Sequence, residues 1–185
     1  MYIKKYIRLS FSSPAEITDF YRSLQIDYPK FFKMDGLSKL GFLASEMIFK
    51  DVENRFVPCE NIAVICFNRS SSLDVDMQFQ ATISDNDNYF PSPSLFVYTL
   101  PNIVTGEIAI RNKFFGETSF YVCKEFDAKQ TVRTVQNAFY DKTTTAVLAA
   151  WIEHFEAKRE VFMVLVENGK GDVEFTENQL SLLKQ

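Results

Sequence analysis

The chain has 185 residues, 46% hydrophobic and 24% charged, a balance that excludes disorder as the main state and a length that can bury a core without staples. A net charge of −4 leaves no electrostatic footprint for nucleic acid or an anionic membrane, so neither is expected as a partner. Three cysteines, Cys59, Cys66 and Cys123, close no disulfide set and lack metal-ligand spacing; with a single histidine, His154, and no apolar run of membrane-span length, a cytoplasmic protein without metal or cofactor is expected. In chain order, residues 2–9 alternate loosely as a strand, and Ser12-Ser13-Pro14-Ala15-Glu16 looks like a helix start. Apolar positions crowd nearly all sides of 34–49, the mark of a helix buried on more than one face, with Asp35 as its N-cap. The continuous apolar run 61–67 suits a central parallel strand.

A polar turn at 68–72 then leads into a helical segment at 74–83 and a Pro-punctuated loop at 88–93, where two prolines argue against a regular helix. Pro101-Asn102 opens a helix to about residue 112, and Gly116 marks a turn before a strand at 118–123. Residues 124–140 read as helix, 145–152 and 161–167 as strands, Gly169-Lys170-Gly171 as a turn and 176–184 as a short helix. Alternating strands and helices with apolar strands mean an α/β fold with a mainly parallel sheet. Without a repeat or linker, residues 1–185 are expected to form one domain.

General catalytic motifs are absent: there is no Gly-rich phosphate loop, no nucleophile elbow and no paired histidines. Particular segments nevertheless have a distinctive order. They are Phe31-Phe32-Lys33-Met34-Asp35-Gly36-Leu37-Ser38-Lys39-Leu40, then Asn68-Arg69-Ser70-Ser71-Ser72, then Pro91-Ser92-Pro93-Ser94-Leu95-Phe96 and Leu100-Pro101-Asn102-Ile103-Val104-Thr105-Gly106. Together with the stretch from Gly116 to Glu153 they resemble the N-terminal half of a β-ketoacyl-acyl-carrier-protein synthase, a family with the thiolase-like fold. The resemblance implies a thiolase-like half, a five-stranded, mainly parallel sheet with helices on both faces.

It also locates a missing nucleophile. In ketosynthases a Gly opens the edge strand and the acylated Cys follows nine residues later at the N-terminus of a buried helix; counted from Gly116, that place holds Glu125. The register continues through Phe139-Tyr140-Asp141 to Val147-Leu148-Ala149-Ala150-Trp151-Ile152-Glu153, the next strand, which also closes with Glu. The family's chemistry needs a thiolate for the acyl chain and two downstream histidines; here the position is a carboxylate, the next residue is the bulky Phe126, and there is one histidine in all.

Each candidate residue also has a plain structural reading. A carboxylate at Glu125 in a helix's first turn is favoured by the dipole; Cys123 suits a strand thiol, and His154 a surface residue before the solvated run 156–160. Nineteen Phe and eight Tyr suit a ring-filled core or an acyl cleft. Lys33, Lys39 and Arg69 are ordinary surface cations or contacts for an acidic acyl carrier protein. On the 124–140 helix, Ala128, Val132, Val135 and Phe139 make one apolar stripe while Lys129, Gln130, Arg133, Gln136 and Asn137 take the rest, so this helix expects water outside.

The resemblance therefore implies a ketosynthase-like protein without catalysis, acting in fatty-acid, polyene or polyketide assembly by binding a ketosynthase or an acyl carrier protein. Two alternatives stand beside it: an enzyme with altered acyl-thioester chemistry using Glu125, Cys123 or His154, and one half of a split 3-oxoacyl synthase. The expected pairing edge is Thr118, Ser119, Phe120, Tyr121, Val122 and Cys123, joining a homodimer or a heterodimer with a ketosynthase.

Overall fold

The computed structural model describes residues 1–87 and 89–185; Asn88, first residue of the loop expected at 88–93, lies outside the described residues. The strands are β1 (Tyr2–Ser10), β2 (Ile62–Asn68), β3 (Thr118–Val122), β4 (Ala146–Phe155) and β5 (Lys158–Glu167). They form one sheet in the order β1-β5-β4-β2-β3. β2 pairs parallel with both β3 and β4, whereas β5 pairs antiparallel with both β4 and β1. Four strands thus share one direction and β5 alone opposes it, so the α/β sheet is mixed in its pairing.

The helices are α1 (Pro14–Ser23), α2 (Gly36–Ile48), α3 (Leu73–Ala81), α4 (Pro93–Tyr98), α5 (Ile103–Asn112), α6 (Ala128–Ala138) and α7 (Glu177–Lys184), with a 3-10 turn at Pro29–Lys33. They lie on both faces of the sheet, as the α/β reading requires. Period-2 alternation along each strand divides the core. Val64, Cys66, Leu148, Ala150 and Ile152 pack beneath α2 and α5. Ala63, Ile65, Phe67, Val147, Ala149 and Trp151 pack beneath α6 and α7. Because β2 and β4 have apolar neighbours on both faces, they carry the continuous apolar runs seen in the sequence.

Local chemistry sets the boundaries. Asp35 caps α2 as expected, its carboxylate accepting from the backbone N–H of Leu37 (3.1 Å) and Ser38 (3.0 Å). Ser92 does the same for α4, accepting from Leu95 N–H at 3.3 Å, with Pro93 in the first turn. Residues 89–92 are loop as expected, and the helix starts at the last residue of that stretch because proline at the first helical position removes no bond that the helix would have made.

Three further differences bear on function. α6 begins at Ala128, four residues later than expected, because Asp127 is its N-cap and accepts from Gln130 N–H at 3.0 Å. Strands β4 and β5 run on into a tight hairpin, paired as far as Phe155↔Lys158, with Glu156 at φ +52° in the turn. The charged run expected as a solvated connection is therefore the turn and the start of β5, and His154 lies within a strand. β3 ends at Val122, and Cys123 follows it, its N–H donating to Asn68 O at 2.7 Å.

Candidate functional site

The two edges of the sheet are unlike. β1 is guarded: Ile3 N–H donates to Val173 O at 2.8 Å, Phe175 N–H donates to Met1 O at 3.2 Å, the register breaks between Ile3 and Lys5, and Lys4, Lys5 and Arg8 line the strand. These are the devices that keep an edge from recruiting another strand. β3 has none of them. Its register with β2 is unbroken from Val64↔Thr118 to Asn68↔Val122, and it contains neither proline nor charge.

The β3 register fixes which backbone groups are free. Val64 N–H donates to Glu117 O and Cys123 N–H to Asn68 O, so the peptide groups of residues 117, 119, 121 and 123 face β2. Those of Thr118, Phe120 and Val122 face outward. The second half of the strand is apolar: Tyr121 and Val122 are exposed, and the Tyr121 ring stacks on Phe67 at 5.3 Å. Beyond the strand's end, Ser72 Oγ donates to Thr99 O at 2.7 Å, linking the segments that carry the exposed Leu73 and Leu100. The same end of the sheet is braced by Glu153, which sequence reasoning noted only as a strand terminus. Its buried carboxylate accepts from Arg69 N–H, Ser70 N–H (3.2 Å) and Ser70 Oγ–H (2.9 Å), clamping that loop to β4.

The candidate residues do not converge. Glu125 sits exposed in the bend before α6, so the favourable helix-end position expected for it belongs to Asp127. Phe126 fills the space beside it, edge-on to Trp151 (5.9 Å) and Phe162 (6.0 Å). Cys123 is half-buried, and burial pushes its thiol up in pKa. A thiolate is thus disfavoured where a nucleophile would need it.

His154 is the clearest correction. Expected at the surface, its ring is only 11% exposed and lies against Gly36 on the opposite face from Phe126. Its Nδ1 is 3.4 Å from Asp74 Oδ2, yet burial outweighs Asp74 and Asp35 and holds its pKa below the ordinary value. The ring borders a cleft of ≈ 340 Å³ between the start of α2, α3, α4 and the β4–β5 turn. Of the three cations considered for a carrier protein, Lys33 and Arg69 are exposed, while Lys39 is half-buried in this cleft. Among the described residues no group of His, Cys, Asp and Glu could hold a metal ion, and no helix is long and apolar enough to cross a membrane.

No family model and no curated protein matches the sequence. Solved structures do match. One, "The ishigamide ketosynthase/chain length factor", superposes over 89% of this chain with a TM-score of 0.68 at 16% identity. The chain has the ketosynthase fold. It spans 55% of the matched chain's length. A second is a ketosynthase (ApeO) in complex with its chain length factor (ApeC) from Xenorhabdus doucetiae; 98% of this chain matches 88% of a chain there, at 12% identity and a TM-score of 0.61. That ketosynthase-fold chain is thus of comparable length. A third holds a type II acyl-carrier protein with its ketosynthase (AntDE:AntF), matched over 90% of this chain and 62% of that one, at 12% identity and a TM-score of 0.62.

Proposed function

We propose that this chain is a non-catalytic ketosynthase-fold partner that docks on a ketosynthase through strand β3. The open β3 edge carries the reading: three outward peptide groups, an unbroken register and the apolar Phe120, Tyr121 and Val122, on a sheet whose other edge is guarded. A pairing that uses all three groups centres on Phe120 and sets Thr118 opposite the partner's third outward residue. Two chains of this protein meet the same requirement, so a homodimer uses the same strand. The ketosynthase–chain length factor complex, which contains a chain of comparable length, supports a ketosynthase as partner. The setting that follows is polyketide or related acyl-chain assembly in the cytoplasm, with residues 1–185 acting as one ketosynthase N-terminal-like domain.

Glu125, at the place aligned with the family's nucleophile, marks a vestigial site. Two observations speak against the enzymatic alternatives. Cys123 and Glu125 lie on the β3–α6 connection while His154 faces the other side of the sheet, so no acid–base–nucleophile set is assembled. The outward side of α6 carries Lys129, Arg133, Gln136 and Asn137, all exposed, which suits water better than a docked second half.

Val122→Pro is the discriminating variant. It removes an outward N–H and leaves the bonds to β2 in place. Co-expressed with full-length ketosynthases of its source, the wild-type chain is expected to co-purify with one of them and Val122→Pro is not, with both variants melting alike. A complex that forms equally well with Val122→Pro would overturn docking through this strand.

A further inference from the structure

We propose that the cleft beside His154 is a binding site for a small monocarboxylate with a short aliphatic tail. It lies on the α2 side of the sheet, apart from the β3 edge and from the connection that carries Cys123 and Glu125. Its volume of ≈ 340 Å³ falls at the small end of the range for small-molecule sites, about 300–1,000 Å³. The lining has two characters. Ile17, Met34, Val75 and Leu95 supply an apolar floor, and Lys33, Lys39 and Arg159 supply cationic walls.

The charges within the cleft are unevenly matched. Both carboxylates have work: Asp35 caps α2 through Leu37 and Ser38, and Asp74 Oδ2 accepts from Gln78 Nε2 at 2.9 Å and faces His154 Nδ1 at 3.4 Å. Among the described residues neither Lys39 nor Arg159 makes an ion pair. Lys39 Nζ lies 5.8 Å from the centroid of the Phe31 ring, and the nearby Asp35 carboxylate, already engaged as the α2 cap, attracts it without forming an ion pair. Arg159 Nη1 reaches the carbonyls of Ser12 and Ala157 at 3.4 Å each.

A half-buried cation without a carboxylate paired to it costs free energy until an anion is bound beside it, and Lys39 and Arg159 both border the cleft in that state. A carboxylate is the matching acceptor, since its two oxygens meet a guanidinium edge and an ammonium together. Burial already holds Lys39 below its usual pKa, which an anion beside it would reverse. The apolar floor selects an anion with a hydrocarbon body over a bare one. His154, pressed between Gly36 and Asp74, borders the same space and reports on its charge.

The test uses hexanoate, hexanol and inorganic phosphate as probes, with calorimetry and the His154 ring resonances followed by NMR. Hexanoate is expected to bind saturably and to raise the His154 pKa, with hexanol and phosphate each weaker by about tenfold or more. Lys39→Met and Arg159→Met are each expected to weaken hexanoate by about tenfold while leaving the melting temperature near that of the wild type. Equal binding of hexanol would reduce the cleft to an apolar hole, and equal binding of phosphate to a bare anion site; either overturns the assignment. So does hexanoate that fails to saturate at millimolar concentration, or that binds both variants as it binds the wild type.

Discussion

Gly36 is the residue on which the His154 side of the molecule turns. A Cβ built there lies 2.1–2.4 Å from three atoms of the imidazole, closer than any real contact. Gly36→Ala must therefore push the ring off the start of α2, at a cost of about 1–3 kcal/mol for an overpacked site. At roughly 2–4 °C of Tm per kcal/mol, a melt resolves the loss, and adding His154→Ala should recover part of it. An unchanged melting temperature would mean the ring is not held there. Acid should act through the same residue. Burial keeps the imidazole pKa below its ordinary 6.5, so as pH falls the unfolded chain takes up a proton first. The contribution of His154 is whole above about pH 6.5 and is lost as pH falls through the folded pKa. Asp35 is shifted the other way by burial, so it favours the folded state as pH falls and opposes His154, and comparing the wild type with His154→Gln isolates the histidine. Melting temperature should therefore fall more between about pH 7 and pH 5.5 in the wild type than in His154→Gln; equal falls would contradict the shift. Chemistry at Cys123 makes the opposite kind of prediction, an absence. With its thiol pKa raised and Phe126 filling the space beyond, incubation with acyl- and malonyl-carrier proteins should leave the intact mass unchanged. An acyl adduct on Cys123 would overturn the vestigial reading.

At the scale of elements, β3 separates two kinds of backbone group by parity alone. Tyr121 donates toward β2 and Val122 toward open solvent, so proline should act differently at the two places. Tyr121→Pro breaks the sheet from within and should lower the melting temperature, whereas Val122→Pro should spare it and lose only pairing. Much of this architecture was legible in the sequence because its signals are local. The apolar runs of β2 and β4 announce strands buried on both faces, and Asp35 before a crowded apolar segment announces a capped helix. What escaped depended on contacts distant in sequence. The expected start of α6 at 124 is too early because Lys124, Glu125 and Phe126 suit a helix in composition, while Phe126 is held out of one by Trp151 and Phe162. The β4–β5 hairpin is longer than the expected strands because its charged residues look like a loop, and only cross-strand pairing to Lys158 and Arg159 shows otherwise. The cleft was invisible for the same reason: its charges come from 33–39, 74, 154 and 159, and no spacing joins them.

At the scale of the whole molecule, the two ends of the sheet are treated unequally. Around β1, residues 173–175 and three cations close the edge, and around β3 the chain leaves Tyr121, Val122, Leu73 and Leu100 exposed. On the α2 side, Glu46 holds Arg55 (2.6 Å) and Arg111 (2.8 Å) together, tying the connection before β2 to α5, the helix beside β3. The pairing strand thus hangs on a braced frame, as a docking element needs to. Hydrogen exchange at single residues tests that claim most directly. In the free chain the amides of Ser119 and Tyr121, bonded to β2, should exchange slowly and those of Phe120 and Val122 quickly. On adding the ketosynthase partner, Phe120 and Val122 should become protected while Ser119 and Tyr121 change little. A complex that forms and leaves Phe120 and Val122 exchanging as in the free chain would contradict docking through β3.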